Sequence, residues 1–364
     1  MQKIKDITDY LETLAPLAYQ ENYDNCGLLV GDASTEVSKV LITLDCTEAV
    51  VDEAIRKGCN LIVAHHPIIF GGLKKLNGKN YVERTVIKAI KNNIAIYAIH
   101  TNYDNVLHGV NTKIAERLNL KETKILSPKK GLLNKLVVFV PISHFEQVQT
   151  AIFQAGAGKI GNYSECSFYG EGKGTFKGND NSNAFVGDKN IQHTESEMRL
   201  EVLVEEVKLN TVLTAMLLAH PYEEVAYDIV PIVNANKAVG SGLIGELAES
   251  MDEKQFLQFL KDAMQTSVIR YTPLVGSIKK VAVCGGSGSF LLKQAIAAGA
   301  DAYVTADFKY HEFFDAENKL MIADIGHYES EIFTINLLAD EILKKFHTFA
   351  VILSETNTNP IKYY

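Results

Sequence analysis

No Cys-x-x-Cys pair occurs in this chain. Its five cysteines, Cys26, Cys46, Cys59, Cys166 and Cys284, are scattered singly. An odd, dispersed count fits a reducing cytosol, with each thiol a small buried apolar residue. Long apolar runs are also missing. None approaches the roughly 20 residues a membrane helix needs. The start, Met1-Gln-Lys-Ile-Lys-Asp-Ile-Thr-Asp9, is broken by acids and leads into no apolar h-region, so no signal peptide and a cytoplasmic location are expected. Excess positive charge is absent as well: 36 Lys and Arg face 44 Asp and Glu, a net charge of -8. That argues against a broad phosphate-binding surface and makes nucleic acid an unexpected partner, although a local basic patch would be compatible with it. What remains is an ordinary globular composition, 47% hydrophobic and 22% charged, over 364 residues, enough for more than one domain.

The informative pattern appears three times. A short apolar run ends in histidine, with an acid or a second histidine close by: Leu61-Ile-Val-Ala-His65-His66-Pro67, Ile94-Ala-Ile-Tyr-Ala-Ile-His100-Thr-Asn-Tyr-Asp104, and Met321-Ile-Ala-Asp-Ile-Gly-His327-Tyr-Glu-Ser-Glu331. Each run is too short for a helix and rich in Ile and Val, as a buried strand is. Ligand crevices of open α/β sheets lie outside the carboxyl ends of parallel strands, so three such ends could converge on one metal site.

The surrounding pattern is βαβαβ. Strand 40–44 leads to a helix capped by Thr47 and ended by Gly58. Strand 61–64, helix 81–92 and strand 94–99 follow. Near the C-terminus strand 281–284, helix 290–298 capped by Gly299, and strand 302–305 repeat it. Ala54-Ile-Arg-Lys-Gly58-Cys-Asn60 matches Ala295-Ile-Ala-Ala-Gly299-Ala-Asp301, which places His66 on Asp307, His100 on His327 and Asp104 on Glu331. An internal duplication explains these coincidences: two similar βα halves, 1–126 and 246–364, form an α/β domain. Residues 127–245 read instead as βαββαβ, an inserted ferredoxin-like α+β domain. Gly156–Gly161, Gly170–Gly178 and Asn179–Asn183 read as loops within it.

His65 and His66 are adjacent at a strand end. Their side chains diverge, which suits two metals better than one, and Pro67 stops the strand. His327 and Glu331 share one face of a helix that starts after Gly326. Asp104 could bridge two cations or cap a turn. His100 could bind metal, orient a ligand or act as an acid/base, with an orienting or substrate role preferred. His65, His66, Asp104, His327 and Glu331 form a nitrogen and oxygen set without sulfur, suited to Zn, Fe, Mn, Co or Ni. Five protein ligands overfill one catalytic zinc but suit two cations, and a dinuclear centre points to hydrolysis. Asp307, Lys309 and His311 follow strand 302–305. Asp307 and His311, with His100, are candidate catalytic or substrate contacts. Gly285-Gly-Ser-Gly288 is either a phosphate cradle or a tight βα turn. His220-Pro-Tyr-Glu-Glu224 is either an effector contact or a structured turn.

At these residues the chain resembles the dinuclear-metal-centre proteins of the YbgI/YqfO type, the Ngg-one-interacting-factor-three-like family, also called type 2 homologues of GTP cyclohydrolase I. The motifs that carry the resemblance are Tyr23-Asp-Asn-Cys-Gly-Leu-Leu-Val-Gly31, His65-His66-Pro67-Ile-Ile-Phe70, His100-Thr-Asn-Tyr-Asp104, Gly285-Gly-Ser-Gly288, Thr305-Ala-Asp307-Phe-Lys-Tyr-His311 and Gly326-His327-Tyr-Glu-Ser-Glu331. Tyr23 stands where the family usually has Trp, and Ala306 where it often has Gly. The resemblance implies two divalent cations held by His65, His66, Asp104, His327 and Glu331, a ring-shaped homohexamer, and an insert similar to the PII/CutA type. It also implies a metal-dependent hydrolase acting on a nucleotide-like or small phosphorylated compound, GTP ring opening being one version. A small-molecule-sensing regulator or ring scaffold is the alternative.

Overall fold

The computed structural model describes residues 2–273 and 276–364. Lys129–Lys237 forms one compact unit. The residues up to Pro128 and those from Ala238 form the other.

In the larger unit, helix α1 (Ile4–Leu14) buries Ile4, Ile7 and Leu11, spaced as one helical face, and leads to β1 (Gly27–Val30). Then come β2 (Lys39–Thr43), α2 (Glu48–Lys57), β3 (Leu61–Ala64), α3 (Tyr81–Lys91), β4 (Ala95–Ala98), the single turn α4 (Thr101–Asp104) and α5 (Val110–Arg117). The Thr47 hydroxyl accepts from Val50 N, and Gly58 closes α2 at φ 70°, the left-handed conformation that spares glycine the Cβ clash. Strands β3 and β4 are buried throughout, which is why they read as unbroken apolar runs. Strand β5 (Lys121–Lys129) then leaves this half.

The smaller unit runs β6 (Leu133–Pro141), α6 (Phe145–Gln154), β7 (Ser167–Lys177), β8 (Gln192–Glu205), α7 (Leu209–Ala219) and β9 (Tyr227–Pro231). Its antiparallel sheet has the order β7-β8-β6-β9. Val148, Ile152, Val212 and Met216 of the two helices pack on Leu136, Val138, Leu200 and Val202. Gly170–Gly178 departs from expectation. Most of it is strand, paired with β8 from Ser167↔Val202 to Lys177↔Gln192. Alternate glycines here leave one strand face bare, and a side chain at Gly174 would collide with the Glu197 carboxylate. Local composition reads as loop, but a ladder of non-local hydrogen bonds makes it strand.

The chain re-enters the larger unit through β10 (Asn236–Met251), followed by α8 (Glu253–Met264), β11 (Arg270–Tyr271) and β12 (Ile278–Ser287). Next are α9 (Leu292–Ala297), β13 (Ala302–Ala306), β14 (Met321–Asp324), α10 (His327–Glu331), α11 (Thr334–Lys345) and β15 (Ala350–Leu353). One sheet has the order β1-β4-β3-β2-β15, the other β11-β14-β13-β12-β10-β5. In each, an antiparallel edge strand is followed by three parallel strands in the same sequence. The histidines and acids singled out above follow β3, β4, β13 and β14, so the carboxyl ends of both sheets supply them.

Candidate metal centre

His65 and His66 directly follow β3. His65 N donates to Thr43 O and His66 N to Leu44 O, which holds both residues in register with β2. His100 sits just beyond β4, and the single turn α4 carries Asp104 back toward it. Gly326, at φ 94°, turns β14 into α10, whose one and a half turns set His327 beside Glu331. The next helix is not continuous with α10. Helix α11 starts only at Thr334, after a break at Ile332 and Phe333.

Six of these side chains meet. His65 Nε2 lies 3.6 Å from Asp104 Oδ1 and 3.8 Å from Glu331 Oε1. His66 Nε2 lies 3.0 Å from Glu331 Oε2 and 3.3 Å from His327 Nε2, and His327 Nε2 is 3.2 Å from the same Glu331 oxygen. Among the described residues, three groups of donors could hold a metal ion: His65 with Asp104 and Glu331, His66 with His327 and Glu331, and His65 with His66 and His100. Glu331 belongs to the first two.

Each imidazole is oriented through its other nitrogen. Nδ1 of His65 faces Ile99 O at 2.8 Å, that of His66 faces Asp45 Oδ1 at 2.8 Å, that of His100 faces Asp24 Oδ1 at 2.9 Å, and that of His327 faces Asp307 Oδ2 at 2.6 Å. An acceptor at Nδ1 fixes the proton there and leaves the Nε2 lone pair for a ligand, the arrangement that accompanies metal-binding histidines.

The electrostatics match. Burial alone would neutralise His66 and His327, but Glu331 with Asp45 carries the first up to about 9, and Glu331 with Asp307 carries the second to about 11. Burial, then the charge of Glu331, raises Asp104 to about 7. Burial also acts against the Glu331 carboxylate, yet His327 and His66 hold it well below the usual range. A cation at the centre would take over the charge balance that these two imidazoles otherwise supply to Glu331. His65 Nε2, Asp104 Oδ1 and Glu331 Oε2 are moreover buried without a hydrogen-bond partner. Orphaned buried polar atoms cost about 1–3 kcal/mol each, and three of them aimed into one cluster fit a bound cation.

The cluster opens into a cavity of about 830 Å³. The glycine-rich end of β12 forms part of its wall. Gly285 N donates to Asn111 Oδ1 and Gly286 N to Ser330 Oγ, so these two amides serve the scaffold and not a phosphate. Gly286 sits at φ 61°, and a Cβ there would collide with Glu331 Oε1.

Asp307, itself at φ 60°, touches His327. His311 stands apart. It is exposed on a 3-10 turn, against the rings of Tyr310 and Phe314, and is not among the cavity-lining residues. The His220-Pro-Tyr-Glu-Glu224 segment is a structured turn: His220 Nε2 faces Phe139 O, and Tyr222 N donates to His220 Nδ1. Sequence reasoning missed three residues. Asp24, inside the Tyr23–Gly31 motif, binds His100 and Thr101. Asp45, an acid just past the end of β2, carried the same strand-end signal as the histidines. Thr358, whose hydroxyl donates to Asp45 Oδ2 at 2.6 Å, had no sequence signal.

Residues 2–360 match the family model of Duf34/NIF3 (NGG1p interacting factor 3). A Halalkalibacterium halodurans protein named GTP cyclohydrolase 1 type 2 homolog is 40% identical over 366 residues, covering 98% of each chain. A Bacillus subtilis protein of the same name is also 40% identical, over 99% of this chain and 98% of its own. The crystal structure of a Bacillus cereus protein related to NIF3 superposes with a TM-score of 0.86 at 38% identity, covering 100% of this chain and 99% of that one. The chain therefore belongs to the Duf34/NIF3 family.

Proposed function

We propose that this protein is a metal-dependent hydrolase whose centre takes two divalent cations from the series Zn, Fe, Mn, Co and Ni. His65 and Asp104 would hold one, His66 and His327 the other, with Glu331 shared. The observation that carries this is the membership of Glu331 in two donor groups. A cation pair supplies an acidified water as nucleophile and positive charge for a developing oxyanion. The chain's own residues do the rest. Asp24 holds the His100 ring by Nδ1, which leaves Nε2 to take or give a proton at the substrate. Asp45 and Asp307 keep His66 and His327 aimed. The names of the relatives point to a nucleotide-like substrate.

Metal analysis of purified protein beside Glu331→Ala, with turnover measured on phosphodiester, phosphomonoester and GTP panels, tests this. Two cations per chain, lost with Glu331, and turnover that requires them are expected. A metal-free wild type sinks the proposal. Formate release from GTP would select the cyclohydrolase version. The ring-shaped homohexamer belongs to the same proposal through family membership, and light scattering should give six times the 40.2 kDa chain mass.

A ferredoxin-like reading of Lys129–Lys237 is supported by its βαββαβ order and its sheet order β7-β8-β6-β9. A cavity of about 790 Å³ over the bare glycine face of β7, lined also by Arg199, Tyr222 and Glu197, favours a second reading, in which this unit senses a small molecule. Equilibrium dialysis against a nucleotide panel separates the two: tight binding without turnover would favour regulation.

A further inference from the structure

The cavity over the metal centre is built unlike a phosphate site. Among the described residues that line it there is no Lys or Arg, whereas Glu21, Asp45, Asp104 and Glu331 all do. Proteins hold phosphate chains with Lys or Arg, or with free backbone amides at a glycine turn. The glycine turn is present, but its first two amides are bound to Asn111 and Ser330. Lys74, Lys75 and Lys79 are exposed on the segment between β3 and α3, yet none lines the cavity. Beyond a single group reaching the cations, each further phosphate would meet carboxylates, apolar side chains and uncharged polar groups such as Asn80, Ser287 and Asn359, with no cationic side chain of Lys or Arg to neutralise it.

Those apolar side chains are the second observation. Tyr23, Phe70, Leu73, Tyr81, Phe290 and Ile361 all face this concavity and are all exposed, from 36% for Leu73 to 68% for Tyr23. Single exposed apolar residues need no explanation, but six on the wall of one cavity mark a surface meant to be covered. Phe70 joins the wall to the centre: its ring meets the His100 ring edge-on, centroids 5.6 Å apart. Four of the six are aromatic, which suits a flat partner.

We infer that the substrate presents a flat, largely apolar body to this wall and one oxygen-rich group to the centre, and carries no phosphate chain. The inference rests on the two-cation proposal and narrows it. The base end of a nucleotide-like substrate is kept, and the polyphosphate end is not.

Zinc-loaded full-length protein tests it with simple probes, zinc retention being checked by metal analysis. Benzohydroxamate and acetohydroxamate share one chelating group and differ in the flat body. Inorganic triphosphate and orthophosphate differ in chain length. In calorimetric titrations benzohydroxamate should bind about tenfold more tightly than acetohydroxamate, and triphosphate no more than about threefold more tightly than orthophosphate. The Phe70→Ala, Tyr81→Ala double variant, altered only at exposed positions, should erase the hydroxamate difference while keeping its zinc. Equal binding of the two hydroxamates, or triphosphate preferred about a hundredfold, overturns the inference and leaves the metal centre standing. Failure to take up zinc at all overturns both.

Discussion

Each histidine at the centre presents one nitrogen inward and gives the other to an acceptor, but the four acceptors differ. Ile99 O is backbone, whereas Asp24, Asp45 and Asp307 are carboxylates that substitution can remove. Loss of such an orienting group usually costs 10- to 100-fold in metal affinity. Asp45→Ala should therefore weaken zinc binding to that degree in competition with a chelating dye. Thr358→Val, which removes only the hydroxyl that steadies Asp45, should cost a few-fold. An unchanged affinity in Asp45→Ala would mean that His66 is held by packing alone. Asp24→Ala answers a different question, because His100 has three candidate roles. If His100 handles protons, the variant keeps its cations and loses turnover. If the metal count drops instead, His100 is a ligand.

Short parallel strands were legible because burial on both faces leaves them almost wholly apolar, with polar residues only toward their ends. The helix cap at Thr47, the left-handed stop at Gly58 and the His-x-x-x-Glu turn of α10 were legible because each depends on neighbours in sequence. The strand through Gly170–Gly178 was not, since its stability comes from β8, which follows about fifteen residues later. Nor were the partners of Asp24 and Asp45, whose carboxylates act across 76 and 21 residues of chain. The glycine-rich end of β12 admitted two readings, and only the contacts of its amides decide between them. Gly286 serves close approach: it occupies φ 61° and leaves room for Glu331. Gly286→Ala should lower stability by about 1–3 kcal/mol through the strained backbone and displace Glu331 as well. The expected result is a lower melting temperature together with loss of bound metal. Full metal content in a folded Gly286→Ala protein would show that the turn gives way without moving Glu331.

Across the whole larger unit, two devices join the beginning of the chain to its end. The first is Glu53 on α2. Its buried carboxylate accepts from Lys57 Nζ, Ser354 Oγ, the amides of Glu355 and Thr356, and Thr356 Oγ1, and so ties down the segment after β15. Burial opposes the charge, but these donors, the Glu355 amide foremost, push the carboxyl down to about 2 from 4.5. A depressed carboxyl stabilises the fold fully above its unfolded value and loses that contribution as pH falls from about 4.5 toward about 2, on the order of 2–3 kcal/mol in all. Glu53→Gln should therefore melt lower than wild type at pH 7, with the gap closing by about pH 2–3; a gap independent of pH would assign the loss to packing.

The second device is the centre itself. His66 and His327 meet across 261 residues of sequence, and Glu331 lies between donors from both sheets. A cation bound there joins the two halves in the folded state only. Mass action then adds about 2.7 kcal/mol of stability at a free metal concentration one hundred times Kd. Wild-type protein should melt several degrees higher with zinc than after treatment with a chelator, and amides of α10 and of the His65–His66 strand end should exchange more slowly. Glu331→Ala should show neither effect, because both donor groups lose their shared oxygen. An equal zinc-induced rise in Glu331→Ala would place the stabilising ion elsewhere on the molecule. A wild type that binds zinc without any rise would mean that the unfolded chain holds the ion as tightly as the folded one, so that the site does not depend on bringing the two sheets together.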